Sequence, residues 1–159
     1  MARAVGFGCK VIAANRSPIT HKGDVTEIYP LAELDRLLSQ SDVVVIAAGL
    51  GPEINARRLA LKPMALLINI GRAAIVDEEA LYQVLSSNRL GGAALEWWQH
   101  WTPEDPDRRP SRYPFHELSN VLMTRTAQDS RRVRLSGARA ILQPTSTGSP
   151  EAKTCTISC

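Results

Sequence analysis

The sequence predicts an α/β domain built on an open parallel sheet with helices on both faces. Three observations predict it. Residues 43–48 (VVVIAA) and 65–70 (ALLINI) are continuously apolar, the pattern of short strands buried within a sheet. The stretches between such runs carry the 3.6-residue period of amphipathic helices. Turn-forming residues punctuate the alternation, so strands and helices follow one another as they do in βα units.

The elements follow in order. Residues 9–14 (CKVIAA) form an apolar run closed by Asn15-Arg16-Ser17-Pro18, a turn sequence. Residues 31–38 set Leu31, Leu34, Leu37 and Leu38 on one helical face. The second buried run follows Lys62-Pro63. Asp77 is placed to cap a helix whose apolar stripe is Ala80, Leu81, Val84 and Leu85, with Glu78 and Glu79 in its first turn. Residues 91–95 (GGAAL) and 120–123 (NVLM) read as two further short strands. Residues 102–116, rich in Pro, Asp and Arg, read as a surface loop. After Thr124 the alternation stops. Residues 133–142 could form one helix, and from Gln143 onward Pro, Ser, Thr and Gly dominate, a composition that predicts an unstructured tail.

With 159 residues the chain suits one domain with a modest core. No apolar run approaches the roughly 20 residues that span a bilayer. Residues 1–10 lack the charged-then-apolar order of a secretory signal, so a cytoplasmic location is expected and no membrane partner. The formal charge of +3 is unevenly placed: six of the 19 Lys/Arg but only two of the 16 Asp/Glu fall in residues 125–159. The body is near neutral, and the basic tail has no interleaved aromatic residue, so nucleic acid is not an expected partner. Cys9, Cys155 and Cys159 have no metal-ligand spacing and imply neither a metal site nor a disulfide framework.

The most informative stretch is LLINIGRAAIVDEEAL, residues 66–81. A buried strand ends in Asn-Ile-Gly-Arg, and a turn of small residues leads into an acid-capped helix. In an open α/β sheet ligands bind beyond the carboxyl ends of the strands. Arg72 falls at such an end, where a guanidinium can grip a carboxylate with two parallel bonds. It also fits a surface arginine paired with a helix-start acid.

This stretch resembles the D-isomer-specific 2-hydroxyacid dehydrogenases, whose signature reads Asn-x-(Ser/Gly/Ala)-Arg-Gly and then (Val/Ile)-Val-Asp-x-x-Ala-Leu. Neighbouring segments are similar to that family in the same order: SDVVVIAA, KPMALLIN in place of Lys-Pro-Gly-Ala, LGGAALEWW, and SRYPFHELSNVLMT before the Pro-His motif. The resemblance covers residues 1–124 and implies a Rossmann-like nucleotide-binding domain, with 125–159 as a non-family tail. It makes Arg72 the catalytic arginine that binds the substrate carboxylate, with Gly71 beside it at the cofactor. Asn15, Arg16 and Ser17 then meet the adenosine ribose, where a neutral group, a cation and a hydroxyl favour NADP over NAD; the same residues also read as a plain turn. Glu96 stands for the family's Asp near the nicotinamide.

The departures from the family are specific. Met1 falls inside the helix that follows the Gly-x-Gly-x-x-Gly loop, so the first strand and phosphate loop are expected to be missing and dinucleotide affinity to be poor. Where members have Thr-Pro-His, this chain has Thr124-Arg125-Thr126. Loss of one base from ACC-CCG-CAC gives that outcome, which marks 125–159 as a shifted-frame tail. Trp101 stands where many members carry the glutamate that orients the histidine, and His21, His100 and His116 read as loop or surface residues. Residues 55–62 are short for the family, so the helix there is expected to be reduced.

Two functions follow. By resemblance the chain is an oxidoreductase that moves hydride between NAD(P) and a 2-hydroxy or 2-oxo acid, inactive as it stands, in a family that forms homodimers through this domain. The alternative is a non-catalytic remnant that associates with an intact dehydrogenase subunit. A third reading, the basic tail as an interaction arm, has only charge in its favour.

Overall fold

The computed structural model describes residues 8–15, 23–47, 53–60, 62–96, 111–124 and, as backbone, 154–158. The described strands are β1 (Lys10–Asn15), β2 (Glu27–Pro30), β3 (Val43–Ile46), β4 (Leu66–Asn69), β5 (Gly92–Glu96), β6 (Val121–Thr124) and β7 (Thr154–Ser158). They form one sheet in the order β2-β1-β7-β3-β4-β5-β6, and every neighbouring pair is parallel. The described helices are α1 (Leu34–Ser39), α2 (Ala56–Leu59) and α3 (Glu78–Ser86), with 3-10 turns at Leu31–Glu33, Ala73–Ile75 and Phe115–Glu117.

The sheet alternates along each strand, and this decides where the core lies. Ile12 and Ala14 of β1, Val44 and Ile46 of β3, Leu67 of β4, and Ala93 and Leu95 of β5 face one side. Against them pack Leu34, Leu37 and Leu38 of α1, Leu59 of α2, and Ala80, Leu81, Val84 and Leu85 of α3. A one-sided set of helices follows from the topology. The chain moves from β3 to β6 always toward the same sheet edge, and right-handed crossovers then keep the helices on one face.

On the other face Val11, Ala13 and Val25 form a small second cluster, while Val43, Val45 and Ile68 are half-buried and Leu66 and Leu122 are exposed. Strands β3 and β4 are therefore not buried on both sides, as their unbroken apolar runs suggested. The described helices lie on one face; the helix expected at the start of the chain lies outside the described residues.

Local chemistry explains the helix limits. The Ala80 N–H donates to the Asp77 carboxylate at 3.0 Å, the cap expected from the sequence, and the stripe Ala80, Leu81, Val84 and Leu85 is buried. The Asn55 side chain accepts from the Arg58 N–H at 3.1 Å and starts α2, which runs only four residues, in line with the shortened segment. Residues 31–38 split into a 3-10 turn followed by α1.

At the C-terminus five residues depart from the composition that predicts an unstructured tail. Thr154–Ser158 is not unstructured: it is an inner strand, paired with β1 from Lys10↔Thr154 to Ala14↔Ser158 and with β3 from Val43↔Cys155 to Ile46↔Ser158. In the doubly wound order 3-2-1-4-5-6, β1 and β2 are the second and third strands and β3 the fourth. β7 thus occupies the place of the first strand in that order. Backbone pairing on both edges outweighs the polar composition that predicted disorder. The expected helix at 133–142 and the rest of the tail lie outside the described residues.

Candidate active site at the carboxyl edge of the sheet

Because all described strands are parallel, their carboxyl ends share one edge. Ala14, Ser158, Ile46, Asn69, Leu95 and Met123 form a single register row just inside it. One residue further on lie Asn15, Ala47, Ile70, Glu96 and Thr124. From β1 to β5 this edge crosses four strand spacings, roughly 19 Å at about 4.8 Å each.

Arg72 leaves the edge from the turn after β4. Asn69, buried to 1% exposure, shapes that turn: its side-chain carbonyl accepts the Gly71 N–H at 3.0 Å, and its amide nitrogen lies 3.4 Å from the Arg72 carbonyl. The Ile75 N–H also donates to that carbonyl, at 3.2 Å, where the 3-10 turn Ala73–Ile75 begins. Such an Asx turn locks the backbone on both sides of Gly71. The Arg72 side chain itself is exposed and has no ion-pair or hydrogen-bond partner among the described residues. The helix-start acids do not hold it: Asp77 caps α3 and Glu78 is buried, accepting from the Ser111 hydroxyl at 2.6 Å. A fixed turn presenting an open guanidinium can bind a carboxylate.

The other expected site residues are partly placed. Asn15 ends β1 at this edge and is half-buried; Glu96 ends β5, half-buried, in register with Thr124. Asn15, Ile70 and Glu96 stand on the face opposite the helices. Arg16 and Ser17 lie outside the described residues, as do Trp101, Arg125, Thr126, His21 and His100. His116 sits in the turn Phe115–Glu117 with its side chain 75% exposed and Nε2 3.8 Å from Glu117, a surface position. Sequence reasoning missed Asn69, although an Asn two residues before a Gly at a strand end is a turn signal.

A supporting layer holds the edge from below. Ser111 and the Arg112 N–H both reach Glu78 Oε1, at 2.6 and 3.4 Å. Tyr113 stacks on Tyr82 of α3 with ring centroids 5.3 Å apart, and Phe115 meets the same ring edge-on at 5.4 Å. These contacts fasten residues 111–118 to α3 before the chain enters β6.

An open, all-parallel α/β sheet in this strand order is the architecture of a Rossmann-like nucleotide-binding domain. Residues 1–125 match the family described as D-isomer specific 2-hydroxyacid dehydrogenase, NAD binding domain, and the chain belongs to that family. A glyoxylate reductase of Thermococcus onnurineus is 41% identical over 101 residues, covering 59% of this chain and 29% of that protein. A D-isomer specific 2-hydroxyacid dehydrogenase of Xanthobacter autotrophicus, solved with NADPH and MES, is 32% identical with a TM-score of 0.59, covering 72% of this chain and 47% of that one. A probable 2-hydroxyacid dehydrogenase of Rhizobium etli, solved with NADP, HEPES and tartaric acid, is 28% identical with a TM-score of 0.63, over 77% and 39%. The chain spans less than half the length of each of these relatives. No described helix is long and apolar enough to cross a membrane.

Proposed function

We propose that this chain is the nucleotide-binding part of an NAD(P)-dependent 2-hydroxyacid dehydrogenase, in which Arg72 anchors the carboxylate of a 2-oxo acid. The observation that carries the reading is the open Arg72 guanidinium on a turn held by the buried Asn69. The edge fits a dinucleotide in its chemistry. Asn15 at one end offers a neutral polar group, Gly71 leaves room for close approach, and Glu96 lies four strands away. Asn15, with Arg16 and Ser17, would hold the adenosine end and favour NADP; Gly71 and Glu96 would flank the nicotinamide end. A nicotinamide held there would supply or accept the hydride.

The chain's own residues then divide the work. Arg72 orients the acid and draws electron density from its carbonyl, and Asn69 keeps the Arg72 backbone in place. The proton that must reach the alcohol oxygen has no donor at the family's position, because Thr126 stands where the histidine belongs. A threonine hydroxyl does not exchange protons near neutral pH, and general acid–base help is typically worth about 10²–10⁴-fold. The chain on its own is therefore expected to bind the acid through Arg72 without turning it over. Affinity for NADPH, NADH and oxamate, a 2-oxo acid mimic, should be measured by titration beside an activity assay. Loss of oxamate binding in Arg72→Ala, with no turnover in either protein, is the expected result. Turnover in the unsubstituted chain that vanishes in the variant would overturn the inactive reading, and unchanged oxamate binding would overturn the role of Arg72.

A further inference from the structure

We propose that the slot between β1 and β3 is a strand-acceptor site, filled in the single molecule by its own Thr154–Ser158 and, in a pair of molecules, by the same segment of a second copy. The slot lies in the middle of the sheet. β7 pairs with β1 over five residues and with β3 over four, and β1 and β3 do not pair with each other. Withdrawing β7 divides the sheet into β2-β1 and β3-β4-β5-β6 and leaves two unpaired edges facing each other. Those edges carry N–H and C=O groups that need partners. A parallel strand satisfies both at once.

The opened molecule remains one body. Leu34, Leu37 and Leu38 of α1 share a core with Ile12 and Ala14 of β1 and with Val44 and Ile46 of β3. The two halves stay joined through that helix while the slot stands empty, so exchange does not require complete unfolding.

Strand β7 is delivered from a distance. Twenty-nine residues separate Thr124, the end of β6, from Thr154. The return from β6 to the slot crosses four strand spacings, roughly 19 Å, whereas a chain of that length can extend to about 100 Å. Reach therefore does not restrict the strand to its own sheet. The segment TCTIS contains three β-branched residues and no charge, Gly or Pro, so nothing in it guards against pairing with another molecule. The slot of one copy makes the same backbone bonds with the strand of another, which is the condition for a swapped dimer. Tethering fixes the balance: a strand on its own chain competes at an effective concentration on the order of millimolar, so swapped pairs accumulate as the protein approaches that concentration.

Residues 43 and 155 are register partners on neighbouring strands, about 4.8 Å apart, within the Cα range that a disulfide bridges. The test uses Val43→Cys in the full chain, with Cys9→Ser and Cys159→Ser so that Cys155 is the partner thiol. The protein is equilibrated at ~10 µM and at ~1 mM, on either side of the tether's effective concentration, and then oxidised. A disulfide within one chain at the low concentration and a disulfide-linked dimer at the high one are expected. A bond confined to single chains at both concentrations would overturn the exchange, and no bond at either would overturn the placement of β7. Light scattering on the unsubstituted chain gives a second readout should the cysteine variant not fold. The dimer fraction should rise toward millimolar protein and disappear in Thr156→Pro, which removes an N–H in the middle of the strand. A dimer that persists in Thr156→Pro, or none at either concentration, would count against the proposal.

Discussion

The side chain of Asn69 accepts the backbone N–H of Gly71 at 3.0 Å, and this bond sets the turn from which Arg72 projects. Asn69 is buried and positions the turn, whereas Arg72 is exposed and has no partner among the described residues. Their substitutions should therefore separate. Asn69→Ala leaves the Gly71 N–H without its partner and should destabilise the domain by about 1–3 kcal/mol while also weakening oxamate binding. Arg72→Ala should abolish oxamate binding and leave the urea midpoint within error, since the guanidinium has no partner among the described residues. Equal loss of stability in both variants would contradict this separation of roles.

Met64 adopts φ +62°, in the left-handed region where a Cβ is strained, and the residue is 67% exposed. Met64→Gly removes the strain at the cost of some added freedom in the unfolded chain and should stabilise by about 0.5–1 kcal/mol, raising Tm by roughly 2–4 °C. A Tm at or below that of the parent would show the turn to be unstrained.

The opposite requirement holds at Gly91, which touches the same turn. A Cβ there would lie 2.4 Å from the Met64 carbonyl oxygen and 3.0 Å from its carbonyl carbon. Because backbone is what must give way, Gly91→Ala should cost on the order of 3 kcal/mol in urea unfolding. In the double variant with Met64→Gly the freed turn can yield, so the two effects should fall short of additive. Simple additivity would mean that the clash is relieved elsewhere.

Local elements are legible in the sequence, and non-local ones are hidden. The runs that form β1, β3 and β4 declare themselves by apolar content, and the Asp77 cap by its position before the stripe of α3. β2 gives no such signal because EIYP opens on a charged residue and ends on proline, so it has neither an apolar run nor a clear alternation. β7 reads as unstructured because Ser and Thr dominate its surroundings, and no local pattern reports pairing with partners more than 100 residues away in sequence. The unbroken valines of β3 suggest burial on both sides, whereas Val43 and Val45 are half-buried on the face without described helices. In the candidate site, the sequence singles out Arg72 through its motif, whereas the Asn69–Gly71 bond is visible only in the turn geometry.

Ser111 ties the entry to β6 onto the start of α3. Its hydroxyl donates to Glu78 at 2.6 Å and accepts the Tyr113 N–H at 2.9 Å, and both Ser111 and Glu78 are buried. Hydrogen bonds to a charged group are worth about 1.5–3 kcal/mol, so Ser111→Ala should destabilise by about 2 kcal/mol in urea, and Ser111→Thr, which keeps the hydroxyl, by less. Equal losses in the two variants would assign the effect to packing instead of the bond.

Asp35 joins α1 to α2: Arg58 Nε lies 2.7 Å from one carboxylate oxygen and an Arg57 guanidinium nitrogen 2.7 Å from the other. Arg58 also donates to the Glu53 carbonyl. The Arg58 hydrogen bond holds the Asp35 carboxyl below its ordinary value, and the charges of both arginines add to it against the opposing effect of desolvation. The sign of the pH dependence follows. A carboxyl whose folded pKa lies below its unfolded one, about 3.9, binds fewer protons in the folded state near that pH. Its contribution to stability is fully present above the unfolded value and is lost as pH falls through the folded one. Urea midpoints followed from pH 6 downward should drop below about pH 4 in the parent, and Asp35→Asn should lack this part of the drop. In Arg58→Ala the Asp35 carboxyl should titrate higher, measured by NMR, and the stability gap to the parent should narrow toward low pH. The gap should settle at what remains from the lost Glu53 contact. A gap that stays constant from pH 6 to strong acid would show that Arg58 acts through packing and the Glu53 carbonyl, and not through the Asp35 charge.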